Sequence, residues 1–179
     1  RICVSAPAMP NDVIDNAIMV PVNNSTTCSN SVTGNNIGAT YSANYSDCFN
    51  ASNYTYQYFV GDVWYKFIAT ATSHIITVAT NANPVALNDP AFAVYERPAI
   101  IDGVNLQLRG CVNLGSAGNS TESQSFNGLV VGREYYIRVM SQLSVSGQGG
   151  FTVCVTTALL PVDNSAIITY SGGGTGEGV

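Results

Sequence analysis

His74 is the chain's one histidine, and its one tryptophan, Trp64, and one lysine, Lys66, stand close before it in the stretch GDVWYKFIATATSHIITV. A histidine can act as a general base, but it needs a nucleophile beside it and a third group to orient the ring, and no G-x-S-x-G elbow occurs. His74 is therefore expected to be a strand-end residue. Paired carboxylates, as in glycoside hydrolysis, would have to come from a sparse set, Asp62, Asp89, Glu96, Asp102 and Glu134, and their spacing selects no two of them. Asp12, Asp15, Asp62 and Asp89 lie beside Asn or Gly in loops, a setting that suits calcium, a hard ion taking about six to eight oxygens. Asp62 and Asp89 are the candidate ligands. No EF-hand or nonapeptide pattern surrounds them, and turn formation also accounts for such Asp residues. The chain is read as non-enzymatic, with calcium the one cofactor to consider.

The five cysteines, Cys3, Cys28, Cys48, Cys111 and Cys154, include no C-x-x-C pair, and one histidine gives no zinc-ligand spacing. Disulfides in an extracellular or cell-surface protein are the reading that fits. Counting does not fix their connectivity. Cys28 and Cys48 bracket a polar loop and are the easiest pair, whose closure would contribute about 3 kcal/mol in the chain-entropy model. One thiol is left free or paired with another chain.

Formal net charge is −5, yet charged residues make up only 9% of the chain, against roughly 25% in ordinary soluble domains. The surface must be built from Asn, Ser, Thr, Gly and Tyr. The six basic residues, Arg1, Lys66, Arg97, Arg109, Arg133 and Arg138, are scattered along the sequence, which gives no stripe for nucleic-acid phosphates. No apolar run approaches the roughly 18 residues that insert into a bilayer, and no signal peptide is visible. The start at Arg1 reads as a processed or excised fragment. Asn23, Asn24, Asn44, Asn50, Asn53 and Asn119 each head an N-x-S/T triplet.

From Asn23 to Tyr58 the side chains are those that compete for their own backbone in turns, so a long loop region with short strands is expected. Tyr41, Tyr45, Tyr54, Tyr56 and Tyr58 interleave there with Asn and Ser. Tyrosine brings contact area at low entropic cost, and Asn and Ser bring hydrogen bonds. These tyrosines are the candidate ligand or self-association surface, with packing over the sandwich edge as the alternative. After them the period becomes two. Val63, Tyr65 and Phe67 oppose Trp64, Lys66 and Ile68, and HIITVAT follows as a second, adjacent strand. Phe92 and Val94 share a face, Leu106 and Leu108 point inward with Gln107 and Arg109 outward, and Tyr135, Ile137 and Val139 oppose Tyr136, Arg138 and Met140. Phe151, Val153 and Val155 end the series. Such strands between Gly, Asn, Asp and Pro clusters predict an all-β fold, an antiparallel β-sandwich of jelly-roll type. NDVIDNAIMV alone has helical spacing, for a turn or two capped by Asn11 or Asp12. Residues 1–157 form the sandwich domain. Residues 158–179 are a C-terminal extension holding a strand, Ala166, Ile167, Ile168, Thr169 and Tyr170, and a Gly-rich tail.

The order APAMPNDVIDNAI, CSNSVTGNNIGAT, DVWYKFIAT, DPAFAVYE, GLVVGREYYIRV, GGFTVCV resembles the bacterial pre-peptidase C-terminal domain family over about residues 6 to 157. The resemblance implies a jelly-roll sandwich and a non-catalytic module of the kind attached to proteases, other hydrolases or long adhesins, some of which bind calcium or polymeric substrates. Ile14 stands where the family often carries a Cys, which implies that Cys3 pairs with Cys154. Val112 and Asn113 replace an acidic pair, which weakens a carried-over calcium site. A further family Cys is missing, which makes Cys111 the orphan.

Two functions follow as expectations. The first is a non-catalytic extracellular structural or adhesive protein, a self-assembling surface filament subunit whose Ala166–Tyr170 strand completes a neighbour's sheet. The alternative is a polysaccharide- or polymer-binding accessory module of a secreted hydrolase or large adhesin. Partners are accordingly further copies of the chain or an extracellular polymer.

Overall fold

The computed structural model describes residues 9–42, 45, 60–97, 106–114, 121–141 and 147–158. Among the described residues ten strands form two sheets: β1 (Ile18–Met19), β2 (Val22–Asn23), β3 (Val32–Asn35), β4 (Val60–Ile68), β5 (Ser73–Thr80), β6 (Pro90–Glu96), β7 (Gln107–Val112), β8 (Thr121–Asn127), β9 (Glu134–Ser141) and β10 (Gly150–Thr157). One sheet has the order β1-β4-β9-β6-β7; the other runs β2-β10-β5-β8, with β3 also paired to β10.

The pairings show how the chain is wound. β3 pairs with β10, β4 with β9, β5 with β8 and β6 with β7, all antiparallel. The chain from β3 onward is thus one long antiparallel ribbon that turns between β6 and β7. Rolling it up adds two contacts, β10 with β5 and β6 with β9. That is the jelly roll expected from the sequence. β1 and β2 are parallel additions, Ile18 opposite Tyr65 and Val22 opposite Val155, so the sheets are mixed at their edges.

Alternation sorts the side chains as expected along β4, β6, β9 and β10. Tyr65, Phe67, Phe92, Ile137, Phe151 and Val153 meet between the sheets. The other face of the first sheet is also covered. Trp64, Ala93, Tyr95, Tyr136 and Met140 form a second buried cluster, against which Ile14, Ala17, Tyr45, Leu106, Leu108 and Cys111 pack.

Four local expectations are corrected. β4 and β5 follow each other through Ala69–Thr72 but lie in opposite sheets, so they are not a strand pair. Leu106 and Leu108 pack on the outer cluster, and Arg109 crosses the edge of the sandwich to the carbonyls of Asn127 and Gly128; an irregular register between Val94 and Tyr95 shifts this part of β7. The helical stretch is a single 3-10 turn, Ile14–Asn16, with no side-chain cap. Asn11 and Asp12 are used elsewhere: Asn11 bonds both backbone groups of Trp64, and Asp12 accepts from the amide and hydroxyl of Thr40. β8 has no counterpart in the sequence reading, because only Glu122 and Phe126 of its seven residues are buried.

The cysteine pairing is corrected as well. Cys28 is bonded to Cys154, with Cα atoms 6.2 Å apart, so neither a Cys28–Cys48 nor a Cys3–Cys154 bridge forms. β10 lies against β2 through Val155 and against β3 through Val153, and the connection from β2 to β3, which carries Cys28, passes over Cys154. Nearness in space overrides nearness in sequence. Cys111 is disulfide-bonded too and is no orphan thiol; its partner lies outside the described residues, as do Cys3 and Cys48. Its side chain packs in the outer cluster.

Candidate functional site

The outer face of the first sheet carries the densest polar chemistry. Gly61, at φ +56, makes a bulge at the start of β4 that resets the register between Val60 and Asp62. A Cβ there would meet the Ala39 carbonyl oxygen at 2.5 Å. Past the bulge, Asp62, Trp64 and Lys66 share the outer face with Tyr136, Arg138 and Met140 of β9. Asp62 and Arg138 are both fully buried and paired at 2.5 Å. The amide and hydroxyl of Ser42 each donate to the Asp62 carboxylate at 2.7 Å, and Arg138 Nη2 donates to the Ser42 carbonyl at 2.9 Å. Tyr41 lies over the guanidinium at 4.8 Å, and Trp64 flanks it at 5.7 Å. Tyr45 meets Trp64 edge-on at 4.7 Å.

Burial works against the charge on Arg138, but the Asp62 carboxylate, with Tyr95 behind it, holds its pKa above the ordinary arginine value. Burial, with Asp15 nearby, pushes the Tyr45 phenol upward. A buried ion pair contributes little net stability, but stripping one partner from it costs about 3–5 kcal/mol. Here the pair fixes position: Ser42, from the polar segment, bonds both members. Tyr41 and Tyr45 are packing residues over this pair, while Tyr54, Tyr56 and Tyr58 lie outside the described residues, as do Asp102 and Ala166–Tyr170.

Asp62 and Asp89 do not share a centre. Asp62 and Ala91 oppose the same residue of β9, Met140, from either side, which sets their strands about 10 Å apart. Both Asp62 oxygens are already bonded to Ser42 and Arg138. Asp89, immediately before β6, is buried, and burial followed by the Glu122 carboxylate raises its pKa.

His74 occupies the corner between the sheets. Its Nε2 accepts from the backbone N–H groups of Thr70 and Ala71, each at 3.1 Å, and its Nδ1 faces the Thr156 carbonyl at 3.2 Å. These partners select the neutral ring with the proton on Nδ1. Burial lowers its pKa, with Thr156 acting in the opposite sense. His74 is the strand-end residue expected.

Four of the six basic residues, far apart in sequence, gather where β4 and β6 end. Lys66 pairs with Glu134 at 3.0 Å, and Tyr136 donates to the same carboxylate. Arg97 donates to the Tyr136 hydroxyl at 3.2 Å. Buried Glu96 is paired with Arg133, and with Arg109 at 3.4 Å. Among the sequons, Asn23 is buried, and its amide nitrogen donates to the carbonyls of Asn30 and Val155, which leaves no room for a glycan; Asn24 is exposed.

Sequence reasoning missed Ser42 as the partner of Asp62 and Glu122 as the neighbour of Asp89. Arg138 was legible as an outward-facing arginine, but its burial depends on the segment that covers the face.

No family model matches the chain, and no curated protein matches it. Among solved structures, the chain is similar to the pre-peptidase C-terminal domain of a collagenase from Bacillus anthracis, at 14% identity and a TM-score of 0.43, over 85% of this chain and 99% of that one.

Proposed function

We propose that the chain is a non-catalytic extracellular structural or adhesive protein that assembles by strand addition. The observation that carries this reading is the edge formed by β7 and β8. Among the described residues each pairs on one side only. Sheet edges are normally guarded by exposed charge or proline; the exposed residues of β8, Thr121, Ser123, Gln124, Ser125 and Asn127, include neither, its one charged residue, Glu122, is buried, and the exposed charge of β7, Arg109, reaches only the Asn127 end of β8. The chain leaves β10 two strands from β8 and at the same end of the sheet, where the Ala158 amide donates to the carbonyl of Ser73 in β5, the residue opposite Asn127 of β8. If 166–170 form the strand expected from the sequence, that strand would pair with β8 in the same molecule or in a neighbour. The Cys28–Cys154 bridge supports an oxidising, extracellular setting. The engagement of Tyr41 and Tyr45 in packing favours this reading over polysaccharide binding through those rings.

The test is deletion of residues 160–179, with assembly followed by negative-stain electron microscopy. Polymers from the full chain and monomers from the truncated one are expected. Polymers that persist after truncation overturn strand donation by the extension.

A further inference from the structure

Asn127 is the last residue of β8 and Gly128 the first beyond it, and together they are the chain's one Asn-Gly pair. Both are exposed. The ladder between β5 and β8 ends with Ser73 opposite Asn127, and the next bond, from the Leu129 amide to the Thr72 carbonyl at 3.0 Å, passes over Gly128. Gly128 holds φ +69, and among the described residues its N–H donates to no backbone group. Within 4 Å a Cβ there would meet only Arg109 Nη2, at 3.8 Å. The Gly128 nitrogen therefore stands unshielded beside the Asn127 side chain.

Two groups act on this pair from other strands. Ser73, buried at the start of β5, donates its hydroxyl to Asn127 Oδ1 at 2.5 Å. Arg109 of β7 donates through Nη2 to the Asn127 carbonyl at 3.4 Å and to the Gly128 carbonyl at 3.3 Å. A donor on Oδ1 draws electron density from Cγ and stands ready for the oxyanion that forms when a nucleophile adds there. A cation on the Asn127 carbonyl favours loss of the Gly128 amide proton, because that carbonyl and that nitrogen belong to one conjugated peptide group. A better electrophile and a better nucleophile thus meet at one turn. Asn24 and Asn30, also exposed, are followed by serine, whose Cβ crowds the amide.

We propose that Asn127–Gly128 is a self-modification site that converts in the folded protein, through a succinimide, to aspartate and isoaspartate. The Gly128 nitrogen gives up its proton and forms a bond to Asn127 Cγ. The C–N bond of the side-chain amide breaks, and its nitrogen leaves with that proton as ammonia. Water then opens the ring: breaking the bond from the ring nitrogen to Cγ gives aspartate, and breaking the bond to the former backbone carbonyl gives isoaspartate. The sum is water taken up and ammonia released, with no oxidant or reductant. In isoaspartate the freed carboxylate is the former Asn127 carbonyl, the group Arg109 already contacts, so the fold favours that product. Either product gives β8 its first exposed charge, since Glu122 is buried.

The test uses the full chain, incubated at mildly alkaline pH either folded or in urea, with peptide mapping by mass spectrometry and labelling by isoaspartate methyltransferase. Conversion at Asn127 is expected to be at least about fivefold faster in the folded chain than in urea, the factor that one hydrogen bond of about 1 kcal/mol supplies. A larger share of isoaspartate than in urea is expected too, with Asn24 and Asn30 unchanged over the same period. Ser73→Ala slows conversion in the folded chain about fivefold, whereas Ser73→Thr, which keeps the hydroxyl, does not. Should Ser73→Ala fail to fold, Arg109→Gln takes its place, with slowing again expected. Conversion no faster in the folded chain than in urea, or an undiminished rate in the deciding variant, overturns the site.

Discussion

At the scale of single residues, His74 shows how a side chain with catalytic potential is used structurally. The crossover from β4 to β5 must leave one sheet and enter the other, and the Thr70 and Ala71 amides find their acceptor in the imidazole. A protonated ring would turn Nε2–H against two N–H groups. The folded-state pKa therefore lies below 6.5, and the unfolded chain takes up a proton that the folded chain refuses. Stability is then full above about pH 6.5 and falls as pH drops below that value toward the lowered folded pKa. Urea denaturation at pH 7.5 and pH 5.5 should show a lower midpoint at the acid pH. His74→Gln, which keeps an acceptor but does not titrate, should lose this difference; an undiminished difference would assign it to other groups.

At the scale of elements, close approach decides what each strand tolerates. β3 crosses β4 where Tyr65 reaches Gly34: a Cβ on Gly34 would lie 1.8 Å from the tyrosine hydroxyl and 3.1 Å from Cζ. Burial pushes this phenol to about 12, with the Asn11 side chain pulling the other way, so the ring sits deep in the core and has little freedom to retreat. Gly34→Ala should cost about 1–3 kcal/mol through overpacking, read as a lower denaturation midpoint. The same substitution in a Tyr65→Phe background should recover most of that loss, since the clashing oxygen is gone. Equal losses in the two backgrounds would mean that the backbone of β3, and not the hydroxyl, sets the limit. Gly34 was legible only as a residue in a turn-rich segment; its neighbour across the sandwich is 31 positions away in sequence.

At the scale of the whole molecule, the Cys28–Cys154 bridge joins the first third of the chain to β10, a separation of 126 residues. Replacing both cysteines by serine should lower stability by about 2–5 kcal/mol, seen as a shifted denaturation midpoint, and non-reducing peptide mapping of the parent should recover the linked pair; a Cys28–Cys48 peptide would contradict the fold. The strands and their faces were readable because alternation is local: Val63, Tyr65 and Phe67 face the core wherever β4 is placed, since successive side chains point to opposite sides. Composition likewise determined the all-β class and the low-charge surface. Which strands become neighbours depends on how the ribbon rolls, and that set everything non-local. It buried the outward-facing Arg138 beside Asp62, placed β4 and β5 in different sheets, brought Cys28 over Cys154, and set Ser73 and Arg109 against Asn127. Periodicity carries no information about contacts between residues this far apart in the chain, so these pairings belong to the tertiary structure alone.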